Sequence, residues 1–293
     1  MVSVSDSQET HGVGVPQKCL APLALFGRSQ RRICSLIGIQ RSMLYYRPML
    51  RSDDQLRRRI RELAQKHRRR GCPHLHRILR REKLVINHKR TERIYREENL
   101  SIRHRKRKKA ASQLRVQIPD ATRPNQQWAM DFMSDALFNG RKIRLFTLID
   151  EYTRECLAIE VDTSINGVRV TGILSRVALM RGLPEIIKVD NGPEFIGKAL
   201  DAWAYQRQIH LQFSRPGKPV DNRFIESFNG RFREECLNDN WFMSLQGARD
   251  IVETWRLDYN TARPHGSLND LTPEEFVNKE QQKLQLNLVQ STG

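Results

Sequence analysis

Apolar residues recur at two different periods along this chain, and the change of period divides it. Leu56, Ile60 and Leu63, then Leu75, Ile78 and Leu79, then Ile94 and Tyr95 recur at helical spacing. From 127 onward the runs are shorter and strand-like: 127–133, 143–149 and 156–161. Positions 170–180 then read as a helix closed by Gly182-Leu183-Pro184. A fourth strand (186–189), a helix (195–205) and a fifth short strand (209–213) follow. Three strands in succession, then strands alternating with helices, predict an α/β fold with a mixed five-stranded sheet and flanking helices.

Upstream, 31–46 reads as a short apolar helix, a turn at Gly38 and a second helix start, the pattern of a helix-turn-helix. Any helical hairpin would bury Ile and Leu at the same spacing. Residues 1–28 show no periodicity and are expected to be a disordered leader. Residues 110–125 hold two prolines and little pattern, and are expected to be a linker. The expected organisation is therefore a basic helical DNA-binding region (29–109), the linker, a core with a C-terminal helix (126–277) and a tail (278–293).

Length and charge narrow the class. At 293 residues the chain has room for about two domains of roughly 150 residues each. No apolar run approaches the roughly 18 residues of a membrane-spanning helix, and no secretory signal is expected. Five scattered cysteines, none in a CxxC pair, suit a reducing compartment. The formal charge is +18, from 51 basic and 33 acidic residues. Positions 51–110 hold 23 basic and 7 acidic residues, so nearly the whole excess lies in that block, which ends in Arg105-Lys106-Arg107-Lys108-Lys109. Basic faces on folded helices point to a polyanionic partner, double-stranded DNA, with no membrane role.

Three acids stand out. Asp131 and Asp190 are placed at strand ends, Asp190 opening Asn191-Gly192-Pro193-Glu194-Phe195. A carboxylate leaving a strand into a Gly-Pro turn can present a hard-cation ligand, although a turn-forming Asp is the commoner case. The third lies beyond Lys218, in Asn222-Arg223-Phe224-Ile225-Glu226-Ser227-Phe228-Asn229-Gly230-Arg231-Phe232-Arg233. Phe224, Phe228 and Phe232 form one apolar stripe. At about 100° per residue Asn222, Glu226, Asn229 and Arg233 share a wedge of about 60° on the opposite side, expected to face outward.

These segments, with Trp128-Ala129-Met130-Asp131-Phe132 and Tyr259-Asn260-Thr261-Ala262-Arg263-Pro264-His265-Gly266-Ser267-Leu268, resemble the catalytic subunit, the second-frame product, of two-frame bacterial insertion-sequence transposases. The core of that family is similar to retroviral integrase. The resemblance covers about 30–277 and implies an RNase-H-like fold with Asp131, Asp190 and Glu226 as the catalytic and metal-holding triad. It also implies two Mg²⁺ ions, for which Mn²⁺ substitutes, with Asp131 bridging, Asp190 on one ion and Glu226 on the other. The implied function is cleavage at element ends followed by 3′-OH strand transfer. The implied DNA contacts are Asn222, Asn229, Arg233, Lys218 and 105–109. The implied partners are element-end and target DNA, the first-frame product and further copies of the chain, in a bacterial cytoplasm at the nucleoid.

Three other readings compete. A zinc site at Cys72, His74, His76 and His88 lacks the second ligand pair that structural zinc takes. A non-catalytic DNA-binding regulator would not need three carboxylates. An RNase-H-type nuclease would cut without joining.

Overall fold

The computed structural model describes residues 29–38, 40–44, 53–102, 120–190, 198–214 and 222–291. The expected leader, most of the linker, the 105–109 cluster, Lys218 and the segment after Asp190 lie outside the described residues. Two compact units divide at Gln55/Leu56. In the first, helices α1 (Gln30–Ile37) and α2 (Arg41–Leu44) flank Gly38, whose φ of 71° is a left-handed conformation that a side chain resists.

The second unit carries α3 (Asp54–Lys66), α4 (Cys72–Arg81) and α5 (His88–Glu97), then the sheet. The apolar positions that set the helical period are those that pack: Leu56, Ile60, Leu63, Leu75, Leu79, Ile94 and Tyr95 form one core. Asn87 caps α5 by accepting from the Lys89 N–H, and Gly71 and Pro73 open α4. Most of the arginines here do not face open solvent as free charges. Arg57 and Arg61 reach Glu98, Arg57 and Arg93 reach Glu97, and Arg59 reaches Glu82 and Glu62. The basic faces expected from the sequence are in part the ionic stitching of the helices themselves.

The sheet contains β1 (Gln127–Ala136), β2 (Lys142–Asp150), β3 (Cys156–Asp162), β4 (Ile186–Val189) and β5 (His210–Phe213), in the order β3-β2-β1-β4-β5. β1, β2 and β3 are antiparallel neighbours, whereas β4 runs parallel to β1 and β5 parallel to β4. Helices α6 (Gly167–Arg181) and α7 (Lys198–Gln206) cover one face, burying Trp128, Met130, Leu148 and Ile187. Helices α8 (Arg223–Glu235) and α9 (Leu245–Thr261) cover the other, over Ala129, Met133, Leu145 and Ile149. From Trp128 to Met133 the apolar residues of β1 alternate between these two cores, which is why that stretch reads as continuously apolar around Asp131.

Helix α10 (Pro273–Ser291) closes the unit and runs on through most of the expected tail. The α3–α5 helices dock on the core through arginines, one buried and two partly exposed. Arg70, 6% exposed, reaches Asp258 and, at 3.3 Å, Glu235. Arg77 Nε lies 2.9 Å from Asp270, and Arg81 bonds Glu275 and the Asp270 carbonyl. No described helix is long and apolar enough to cross a membrane.

Candidate active site

Asp131 is the fifth residue of the ten-residue β1, not a strand-end residue. The strand runs three residues beyond its expected end because Ser134, Asp135 and Ala136 still pair with Arg144, Ile143 and Lys142. Asp131 shares the parity of Ala129 and Met133, so its side chain faces α8 and α9. Ala129 is the parallel partner of Lys188, and Asp190 lies two residues beyond Lys188. Continuing that register puts Asp190 beside Asp131, on the same face and about 4.8 Å away strand to strand. Glu226 comes from the first turn of α8, exposed, where the unpaired N–H groups of a helix start favour an anion.

Both oxygens of Asp131 are held. Oδ1 accepts the Phe132 N–H at 2.7 Å, and Oδ2 accepts the Asn229 side-chain amide at 2.7 Å. Burial pushes the carboxyl from 3.8 up to about 6. The charges of Asp190 and Glu226 add to the rise, and the Phe132 and Asn229 donors restrain it. Partial burial raises Glu226 as well. Two of the three acids are therefore raised by burial, and the charges of the other two act on Asp131. Among the described residues no three His, Cys, Asp or Glu side chains converge tightly enough to enclose a single ion.

The outward wedge expected on α8 is corrected in part. Asn222 and Asn229 are 6% and 7% exposed. The wedge lies against β1, because α8 is covered on its sheet side as well as along Ile225, Phe228 and Phe232. Only Glu226 at the helix start opens to solvent, while Arg233 is half-buried and donates to the Ser134 carbonyl at 2.9 Å. The Phe stripe is also incomplete. Phe224 is half-buried, with the Arg154 guanidinium 3.6 Å from its ring centroid. Asn229 as the partner of Asp131 was not foreseen. Its signal is the seven-residue spacing from Asn222 on Glu226's side of the helix, which becomes readable only once the facing strand is known.

The residues of the zinc alternative serve elsewhere. His74 is buried, and His76 Nδ1 lies 2.9 Å from the Thr91 hydroxyl with its ring edge-on to His88.

Comparison with known proteins follows the same division. Residues 121–219 and 207–273 match integrase core domain families. Residues 51–108 match an HTH-like domain family, downstream of the helix-turn-helix expected at 31–46. The chain is 43% identical over 252 residues to the "Insertion element IS407 uncharacterized 31.7 kDa protein" of Burkholderia multivorans, covering 86% of this chain and 91% of that one. It is 27% identical over 161 residues to the "Putative transposase InsK for insertion sequence element IS150" of Escherichia coli, covering 54% and 56%. In fold it is similar to a chain of the simian T-cell lymphotropic virus intasome in complex with PP2A regulatory subunit B56 gamma. That match has TM-score 0.50 and 16% identity, over 74% of this chain and 73% of that one.

Proposed function

Because the chain belongs to the insertion-element transposases that carry an integrase core, we propose that it cleaves the ends of its element and joins them to target DNA. The observation that carries this reading is the desolvated Asp131 carboxyl, raised to about 6 by burial with the charges of Asp190 and Glu226 adding to the rise. Three carboxylates are the hard oxygen donors that Mg²⁺ takes, and a cation held there would relieve the burial cost of the Asp131 charge. Asp131, Asp190 and Glu226 would hold Mg²⁺, or Mn²⁺; bound there, the ions would activate a nucleophile and stabilise the leaving oxyanion.

The chain's own part is placement. Phe132 and Asn229 fix the Asp131 rotamer with one donor on each oxygen, which leaves each oxygen a further lone pair for a cation. Arg233, tied to Ser134, sets a cation at the far end of the same strand, where a DNA phosphate can meet it. Water cuts the first phosphodiester and frees a 3′-OH. That hydroxyl then attacks the second, and no covalent bond between protein and DNA is needed.

In this reading the chain works at the bacterial nucleoid as several copies on DNA, with a first-frame product as partner. Asp190→Asn tests it. The variant should bind element-end duplex within about threefold of wild type and lose Mg²⁺-dependent nicking. Nicking at the wild-type rate would remove Asp190 from the site. A strand-transfer assay separates joining from simple nuclease action.

A further inference from the structure

A second pocket, of about 450 Å³, lies within the same unit between α4, the β2–β3 turn, α8 and the Ala262–Leu268 loop. Four arginines line it, Arg77, Arg154, Arg231 and Arg263, and no acid does. Two of the four charges are answered outside it, Arg77 by Asp270 and Arg263 by Glu235. Arg154 feels the nearby charge of Glu151, and neither it nor Arg231 forms an ion pair with a described residue. Arg154 Nη1 is buried without a partner. His74 and His265, 8% and 7% exposed, also line it, each with a buried Nε2 that has no partner. Burial, helped by the arginines, holds both imidazoles neutral, so they add no charge, and the His265 ring already bonds the Tyr259 backbone. Gly266 makes the approach possible: a Cβ there would sit 2.6 Å from the Arg77 guanidinium. Buried donors left unmatched in a native fold are costly unless something fills them.

We propose that this pocket binds a phosphate group, and that its occupant is a backbone phosphodiester of DNA gripped beside helix α8. Arginine forks match phosphate oxygens in geometry as well as charge. The placement fits a strand running past the carboxylates. Ser227 and Arg231 line the pocket on α8 itself, and Ser227 directly follows Glu226 in the chain. The phosphate chemistry stands on the pocket alone; that the phosphate belongs to DNA rests on the function proposed above.

The test uses the full chain and two variants at exposed positions, Arg231→Ala and Ser227→Glu. Inorganic phosphate is titrated while the histidine ring signals are followed by NMR, and duplex affinity is measured against salt. Wild type should show saturable shifts of His74 and His265. Both variants should lose them while keeping the wild-type Tm, and should bind duplex about tenfold more weakly, with Arg231→Ala about 0.9 shallower in its log–log salt slope. No phosphate response in wild type overturns the pocket. A phosphate response with unchanged duplex affinity and slope in both variants overturns the DNA phosphodiester as occupant. Wild-type nicking is measured in parallel: its absence beside a normal phosphate response would sink the proposed chemistry and leave the pocket standing.

Discussion

Asp131 holds its proton more tightly in the folded chain than in the unfolded one, so its ionisation works against folding. The shift from 3.8 to about 6 sets the window. The favourable contribution is complete below about pH 4, is lost as pH rises through 6, and stays lost above. Asp131→Asn removes the charge, and its amide can still accept from Phe132. It should therefore raise stability at pH 7.5 by about 1–3 kcal/mol in urea unfolding, with the gain vanishing near pH 4. Mg²⁺ should raise the Tm of wild type and not of this variant. A variant less stable than wild type at pH 7.5 would contradict the electrostatic account. Neutral His74 and His265 act in the opposite sense. Their contribution is present above about 6.5 and is lost as pH falls, so the comparison must be variant against wild type at each pH rather than one curve alone.

At the scale of elements, the α3–α4 turn is held to the core by one residue more than by any other. Arg70 is buried between Glu235 and Asp258, and removing it takes the ion-pair partner from Asp258 while Glu235 keeps Arg263. Arg70→Ala should cost about 3–5 kcal/mol by denaturant unfolding, whereas Arg59→Ala, on an exposed pair, should cost under about 1 kcal/mol. Equal losses would mean that docking does not depend on Arg70. The strands and helices were legible in the sequence because each has its own apolar period: β4 falls at its expected limits, and α6 extends the expected helix only at its ends. The two-faced burial of α8 was not legible. A period locates one apolar stripe, but Asn222 and Asn229 are both buried, Asn229 with a hydrogen bond to Asp131 on the facing strand, and neither feature leaves a periodic mark. The acids were visible by type and spacing. Their convergence depends on the β1–β4 register, a long-range property of the fold. The arginine pocket draws on residues from 74 to 267; its 224–231 and 259–267 segments stood out beforehand, but their meeting with Arg77 and Arg154 did not.

For the whole molecule, net charge is a poor guide to which charges reach a ligand. Of the +18, many arginines in α3–α5 are already paired. The salt dependence of duplex binding should accordingly come mainly from charges outside those pairs. Replacing Arg105, Lys106, Arg107, Lys108 and Lys109 by Gln should flatten the log–log slope by up to about 4, at roughly 0.9 per phosphate contact. Replacing Arg57, Arg59 and Arg61 should change it by less than about 1, and the reverse order would relocate the binding surface.

The Arg70 contacts also carry a timing. Its partners lie 165 and 188 residues further along the chain. A ribosome releases α3 and α4 first, and at about 5–20 residues per second the acids that neutralise Arg70 follow roughly ten seconds or more later. During that interval the nascent helices carry an unanswered guanidinium. Full seating of the N-terminal helices waits for Asp258 on α9 and for Asp270 and Glu275 beyond it, so a message truncated before Asp258 leaves α3–α5 without these three anchors.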